Sequence, residues 1–334
     1  KDIEEYGIDK FVEKCEAHVQ KAAAKITEQS IRLGQWMDWD NSYFTHTDKA
    51  NEYKWHFLKF CHEKGWIYKG KDVIPWCPRC STAESKHAIT TEGYFEVEHT
   101  SMFMQFPVEG RKKEYFLVWT TTPWTVPADV AIAVNPEFKY VKVKQDDNYF
   151  WLAESRLSVL EGKYEIEEKL SGAKLIGMKY NMPYKNFTAQ KDAAHKVVVW
   201  DLVSAEDGTG IVHIAPGCGP EDYQLGKCEK LIKPSPLDEE GIFMQGYDWL
   251  VGKHVSTANS EIIKDLQKRD FIYKLEKIKH RYPHCTRCQT ELIFRLVDEW
   301  YISVNDMRQK LIDENKKIRW SPETGQRYEE DWLR

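Results

Sequence analysis

The sequence predicts a mixed α/β protein: a strand-rich domain with flanking helices, inserted into a small α/β stem that holds a zinc ion. Three observations predict it. Apolar residues recur at helical spacing near the start of the chain. Strands bounded by turn residues dominate its middle. Two Cys-x-x-Cys turns, Cys77-Pro-Arg-Cys80 and Cys285-Thr-Arg-Cys288, flank that middle.

The helical reading begins with Phe11, Val12, Cys15, Val19, Ala22, Ala23 and Ile26, which share one face of a helix from about Asp9 to Leu33. Gly34 closes it. Thr47 or Asp48 caps a second helix carrying Tyr53, Phe57, Leu58 and Cys61, which ends near Gly65. From Tyr94 to Pro216 the pattern changes to strands. "YVKVKQDDNYFWLAES" predicts two strands about an Asp-Asn turn, and "KVVVWDLVSAEDGTGIVHIAP" two more about Asp207-Gly208. A helix over Thr257–Lys268, with Ile262, Ile263 and Leu266 on one face, precedes the strand "FIYKL". The expected division is a first stem segment over 1–92, the inserted domain over 93–275 and a returning stem over 276–334.

Composition narrows the class. The chain has 334 residues, 42% hydrophobic and 30% charged, which is enough for two sizeable cores. Its formal net charge of -5 offers no global basic field for nucleic acid, although local patches remain open. Apolar runs such as Val197-Val198-Val199-Trp200 are far too short to span a bilayer. No membrane partner is expected, and no secretory leader is visible, so a cytoplasmic setting is expected. The chain opens Lys1-Asp2-Ile3 without a methionine and reads as a segment of a longer protein.

Eight cysteines in a large chain without a leader favour metal binding over a disulfide framework. Cys15 and Cys61 fall on apolar helix faces and read as small core residues. Each Cys-x-x-Cys turn places two thiolates on one side of a tight loop, half of a tetrahedral zinc site. Cys77, Cys80, Cys285 and Cys288 together complete a closed, structural one. Four cysteines leave no open position for catalysis. The bland alternative is two unligated surface turns. If one ion joins them, everything between must leave and return at the same place.

Two further stretches carry candidate chemistry. In "FLVWTTTPWTVPADVAIAV", Thr120, Thr121 and Thr122 stand before Pro123, which cannot donate to a sheet ladder and biases Thr122 toward extended geometry. Three hydroxyls are therefore expected at a strand end, and plain strand remains the alternative. In "GTGIVHIAPGCGPEDYQLG", glycines 208, 210, 217 and 219 imply close approaches around His213, Cys218 and Asp222. The bland readings are a structural histidine in a β-rich core and an aspartate capping the helix that follows. His213, Cys218 and Asp222 could also be read as a thiol hydrolase, against which the five-residue spacing of His213 and Cys218 speaks.

With these residues placed, essentially the whole chain resembles the class I isoleucyl-tRNA synthetases, specifically their inserted editing region. "VWTTTPWTVPADVAIAVNP" is similar to the threonine-rich signature of that family and "GTGIVHIAPGCGPEDY" to its second editing motif. The two knuckles are similar to those flanking the insertion. Pro-Trp after the threonines favours the isoleucyl branch, since valyl and leucyl relatives usually show Arg-Pro there. Cys218 departs from the His or Phe expected at that position. Neither an HIGH-type nor a KMSKS-type ATP motif is present, so this segment is not expected to aminoacylate, and ATP is expected only in a full-length enzyme.

The resemblance implies a β-barrel-like editing domain that hydrolyses valine wrongly attached to the tRNA for isoleucine, working as a monomer. It implies that Asp222 pairs with the α-ammonium and that Thr120, Thr121 and Thr122 grip the terminal ribose and phosphate and orient water. It also implies that Trp124, His213 and Tyr282 form the side-chain pocket. Trp124 and Tyr282 taken singly could equally be core aromatics. The basic run Lys274, Lys277, Lys279 and Arg281 is a plausible contact for the tRNA acceptor end or simply a solvated face. A non-catalytic zinc-containing RNA-binding module is the competing reading.

Overall fold

The computed structural model describes residues 2–334. Two compact units divide them: one from the residues up to Tyr68 together with Tyr301–Arg334, the other Lys69–Trp300. The first opens with α1 (Asp2–Tyr6), α2 (Ile8–Arg32) and α3 (Asp48–Glu63), so both expected helices form. Thr47 caps α3, its hydroxyl accepting from the Ala50 N–H at 3.3 Å and filling one orphan donor of the first turn. Cys61 is buried on α3, but Cys15 is exposed, and α2 has no buried residue among those described. The apolar stripe of α2 has the right period. A period, however, does not supply a neighbour to pack against.

In chain order the strands are β1 (Ile67–Cys77), β2 (Thr82–Ala83), β3 (Tyr94–Pro107), β4 (Glu114–Thr120), β5 (Ala131–Val134) and β6 (Lys139–Gln145). They continue with β7 (Asn148–Ala153), β8 (Glu165–Ser171), β9 (Lys196–Val199), β10 (Val212–Ile214), β11 (Ile272–Pro283) and β12 (Ile293–Ile302). The short α4 (Lys86–Ala88), then α5 (Pro220–Cys228) and α6 (Val255–Lys268), lie between them, and α7 (Arg308–Asn315) and α8 (Thr324–Leu333) follow β12. β12, β1 and β2 form a three-stranded sheet. The other nine strands form one large sheet, ordered β8-β6-β7-β4-β10-β5-β9, with β3 joining β4 to β11. That sheet curls into a half-barrel, as the fold class read from the sequence requires.

β6 and β7 pair as the expected hairpin, but its turn is Asp146-Asp147 rather than Asp-Asn, since Asn148 already pairs with Gln145; Asp146 takes a φ of 52° suited to a tight turn. β9 and β10 both form but do not pair with each other, which corrects the expected second hairpin. β5 lies between them, parallel to β9 and antiparallel to β10. Twelve loop residues, 200–211, give the chain room to step over one strand. The core inside the sheet is dense with large side chains such as Met102, Met104, Phe106, Phe116 and Trp151, all at most 1% exposed. Each such burial is worth about 1.5–3 kcal/mol. α6 packs its Val255, Ala258, Ile262 and Leu266 against that core.

Candidate functional site

β4 ends at Thr120, and Pro123 opens a 3-10 turn over Pro123–Ala128. The threonines therefore do stand at a strand end, for the reason proline imposes. β4 runs parallel to β10 with Trp119 opposite Val212, so Thr120 and His213, one residue further on in each strand, become neighbours. His213 is 7% exposed. Its Nε2 lies 3.2 Å from Thr120 Oγ1 and 3.1 Å from Thr125 Oγ1. Thr120 Oγ1 is 3.3 Å from Thr122 Oγ1 and accepts from the Thr122 N–H at 3.2 Å. Thr122 Oγ1 is in turn 3.2 Å from Thr125 Oγ1, whose hydroxyl donates to the Thr122 carbonyl at 2.8 Å. The side chain of Thr121 makes no such bond among the described residues.

Asp222 does not cap its helix. Pro220 takes the first position of α5, where its missing N–H costs nothing, and Gly219 is the N-cap, which places Asp222 inside the first turn. Its Oδ2 accepts from the Ala215 N–H at 2.8 Å, tying α5 back to the end of β10. Burial pushes the Asp222 carboxyl up to about 6, and it does so against His213 and the Ala215 N–H, which both favour the charged form. The glycines that suggested close approaches make them with the protein itself. A Cβ on Gly210, at φ +72°, would stand 2.4 Å from the Ala153 Cβ, and one on Gly217 would stand 1.9 Å from the Pro234 carbonyl oxygen.

A cleft of about 410 Å³ gathers Thr120, Thr121, Thr122, His213, Cys218 and Asp222 on its walls. Trp124 and Tyr282 are not in it. They line a neighbouring cleft of about 360 Å³, and Thr121 and Thr122 face both. Trp124 is 4% exposed, and its backbone N–H donates to Asn259 Oδ1 on α6 at 2.9 Å. The Tyr282 hydroxyl donates to the Leu292 carbonyl at 3.2 Å. The three residues implied to form one pocket thus fall on two sides of the threonine wall.

Cys77, Cys80, Cys285 and Cys288 converge, with all four sulfurs within 4.8 Å of one another. Four sulfurs at about 2.3 Å from one zinc ion form a closed tetrahedral shell, and this set fits it. The Cys80 N–H donates to Cys77 Sγ at 3.3 Å, the kind of bond that offsets thiolate charge in such turns. The group lies at the foot of β11, three residues beyond Tyr282.

Cys218 gives no support to a thiol hydrolase. It is buried, and burial, then Asp222, pushes its thiol well above the ordinary range, away from the thiolate a nucleophile needs. The basic run on β11 is offset by glutamates of β3. Lys277 pairs with Glu98 at 3.8 Å, while Lys279 and Arg281 stand opposite Glu98 and Glu96 in the register.

Sequence reasoning missed Thr125, Asp129 and Asn259. Asp129 carried a signal: it is a lone acid inside the apolar run "VPADVAIAV", where a charge must be either at an edge or specifically partnered. Asn259 carried none, since its role depends on where α6 docks.

A strand-end threonine cluster, a histidine and a partly buried carboxylate share one cleft, and the same compact unit holds the four-cysteine knuckle. The family model of tRNA synthetases class I (I, L, M and V) matches residues 1–334, and the chain belongs to that family. Within it, the chain is 39% identical to the isoleucine–tRNA ligase of Pyrococcus furiosus over 100% of its own length and 33% of that protein. It is 40% identical to the isoleucine–tRNA ligase of Clostridium acetobutylicum, over 96% of this chain and 31% of that one. The chain thus spans about a third of the length of these relatives. Among solved structures it is similar to GlLeuRS-CP1, with a TM-score of 0.45 and 13% identity over 53% of this chain and 98% of the other. It is also similar to the cytosolic leucyl-tRNA synthetase editing domain of P. falciparum, with a TM-score of 0.39 and 12% identity over 52% of this chain and 98% of the other. The isoleucyl branch read from Pro-Trp agrees with these relatives.

Proposed function

We propose that this chain is the editing region of an isoleucyl-tRNA synthetase and that it hydrolyses the ester of valine wrongly attached to the tRNA for isoleucine. The observation that carries the reading is the shared cleft of Thr120, Thr121, Thr122, His213 and Asp222. In this reading Asp222 pairs with the α-ammonium of the esterified valine, a cation that also favours the charged carboxylate. The threonine hydroxyls orient the terminal ribose and a water. None of them titrates near neutrality, so none serves as a general base. The ester is activated by its vicinal ribose hydroxyl, and fixing the water against the carbonyl supplies the rest of the rate through orientation. One zinc ion on Cys77, Cys80, Cys285 and Cys288 ties the roots of the insertion together. The chain acts as a cytoplasmic monomer, and the synthesis of aminoacyl-tRNA, with its ATP, belongs to parts of the enzyme outside it. The test is incubation of the chain with valyl- and isoleucyl-tRNA for isoleucine, following ester loss. Selective loss of valine is expected, and equal stability of both esters overturns the proposal.

A further inference from the structure

Behind the threonine wall stands a carboxylate that neither the motifs nor the cleft exposes. Asp129 follows the 3-10 turn, is 0% exposed, and lies one residue before Val130, whose N–H donates to the Ile214 carbonyl of β10 at 2.9 Å. One of its oxygens, Oδ1, accepts from the Tyr180 hydroxyl. The other, Oδ2, is 3.5 Å from His213 Nδ1, and neither of those two atoms has another partner among the described residues. A buried carboxylate oxygen and a buried ring nitrogen are each costly alone, so a small adjustment that brings this 3.5 Å approach into a hydrogen bond satisfies both. Burial, with Asp129 beside it, pushes the Tyr180 hydroxyl far above its ordinary range, so Tyr180 remains a donor to the carboxylate. The other buried imidazole nearby, His195, has no hydrogen-bond partner at either nitrogen among the described residues and stands edge-on to the Tyr180 ring at 5.8 Å.

We propose that Asp129 is a positioning residue for the threonine–histidine wall: its carboxylate holds His213 with a protonated Nδ1 facing Oδ2 and turns Nε2 toward Thr120 and Thr125. The direction of the remaining hydrogen bonds follows. The one proton of the Thr125 hydroxyl goes to the Thr122 carbonyl, so the acceptor Nε2 takes the Thr120 proton. The Thr120 oxygen, with its own proton directed at Nε2, accepts from the Thr122 N–H and from the Thr122 hydroxyl. The donors of the Thr122 hydroxyl, the Thr120 hydroxyl and His213 Nδ1 therefore point in sequence toward Asp129, while the Thr125 hydroxyl points to the Thr122 carbonyl. The outermost oxygen, Thr122 Oγ1, turns lone pairs toward the cleft and suits a ligand O–H donor, a sugar hydroxyl or a water.

The consequence for catalysis rests on the hydrolytic function proposed above; the arrangement of protons does not. With ¹⁵N-labelled histidine in the 334-residue chain, the signals missing from His213→Gln identify His213. In the parent, Nδ1 is expected to carry the proton and Nε2 to show the shift of an acceptor. Asp129→Asn presents an amide donor to Nδ1 and should move the proton to Nε2. Tyr180→Phe leaves the carboxylate in place with one donor fewer and should shift the Nδ1 proton resonance, which keeps the test alive if Asp129→Asn fails to fold. In hydrolysis of valyl-tRNA, Asp129→Asn should lower kcat by on the order of tenfold to a hundredfold, the scale on which an outer-shell partner acts, with KM kept within about twofold. A parent that spares the ester overturns the hydrolytic reading, while the nitrogen shifts still decide the role of Asp129. An Nε2-protonated ring in the parent, or ring signals unchanged in both variants, overturns the assignment of Asp129.

Discussion

Asp222 is under two opposed demands. Its carboxyl is pushed up from an ordinary 3.8 to about 6 by burial, yet pairing with an ammonium requires it ionised. The sign of its linkage follows. Between about pH 4 and 6 the unfolded chain releases a proton that the folded chain retains, so this group's contribution to stability falls across that window and stays low above it. Asp222→Asn should therefore be more stable than the parent at pH 8, with the advantage gone near pH 4, as thermal unfolding at the two pH values would report. The same variant keeps an acceptor for the Ala215 N–H but loses the substrate's partner, and its hydrolysis of valyl-tRNA should fall by the equivalent of roughly 2–5 kcal/mol. Parental activity would make Asp222 a tether between α5 and β10 and nothing more. The threonines divide in the same spirit. Thr120 and Thr122 share bonds, whereas Thr121 stands outside the network. Thr120→Val and Thr122→Val should be non-additive in a double-mutant cycle, by about 0.5–3 kcal/mol in transition-state free energy, while Thr121→Val adds independently to either. Additive effects for all three would dissolve the network into separate contacts. The threonine triplet was visible in the sequence because proline marks a strand end. Thr125 and Asp129 were not, because their partner is 88 and 84 residues away on β10 and only strand pairing brings it near.

At the scale of elements, local signals located the pieces and failed at their neighbours. The β6–β7 hairpin was legible because its turn and both strands are local, although the turn falls one residue before the expected Asp-Asn. The placement of β5 between β9 and β10 was not, since nothing in "KVVV" or "IVHIA" says which strand lies beside it. The knuckles are the opposite case, long-range yet legible, because metal chemistry requires four ligands and each turn supplies two. They join the end of β1 to the turn between β11 and β12. One zinc per chain is expected by elemental analysis, with bonds of about 2.3 Å to sulfur by X-ray absorption. A chelator strong enough to strip it should lower the thermal midpoint, since an ion held at a hundredfold excess over its Kd contributes about 2.7 kcal/mol. Cys80→Ser or Cys285→Ser should remove the metal and reproduce that shift. Protein prepared without metal and equally stable would reduce the four cysteines to a packed cluster.

At the scale of the molecule, the residues that the resemblance implies for one pocket line two neighbouring clefts, and that division bears on how the proposed editing site would discriminate size. Isoleucine exceeds valine by one methylene, worth roughly 1–3 kcal/mol of attraction in an apolar pocket, a figure for which isoleucyl-tRNA synthetases are themselves the standard case. An accommodating pocket would therefore favour isoleucine, and editing must penalise it sterically. Overpacking costs on the order of 1–3 kcal/mol, so a preference for valine needs a wall that does not yield. In the proposed function, His213 supplies such a wall. It lines the cleft that also holds Asp222, is 7% exposed, and accepts from Thr120 at Nε2 in the proposed arrangement while Nδ1 faces Asp129. Trp124 and Tyr282 are also fixed, by Asn259 and by Leu292, but they line the neighbouring cleft. In the proposed function, with the ammonium at Asp222, the amino acid's side chain would lie within a few ångströms of that carboxylate and so on the His213 side of the threonines. His213→Ala should then let the chain hydrolyse correctly charged isoleucyl-tRNA, lowering the valyl-to-isoleucyl rate ratio by about tenfold or more, as a lost clash of 1–3 kcal/mol implies. Trp124→Ala and Tyr282→Ala should leave the ratio near that of the parent, although Trp124→Ala slows both reactions by loosening the threonine turn. The opposite pattern, a ratio that collapses in the two aromatic variants and holds in His213→Ala, would move the amino acid's side chain across the wall into the second cleft and leave only its ammonium in the first.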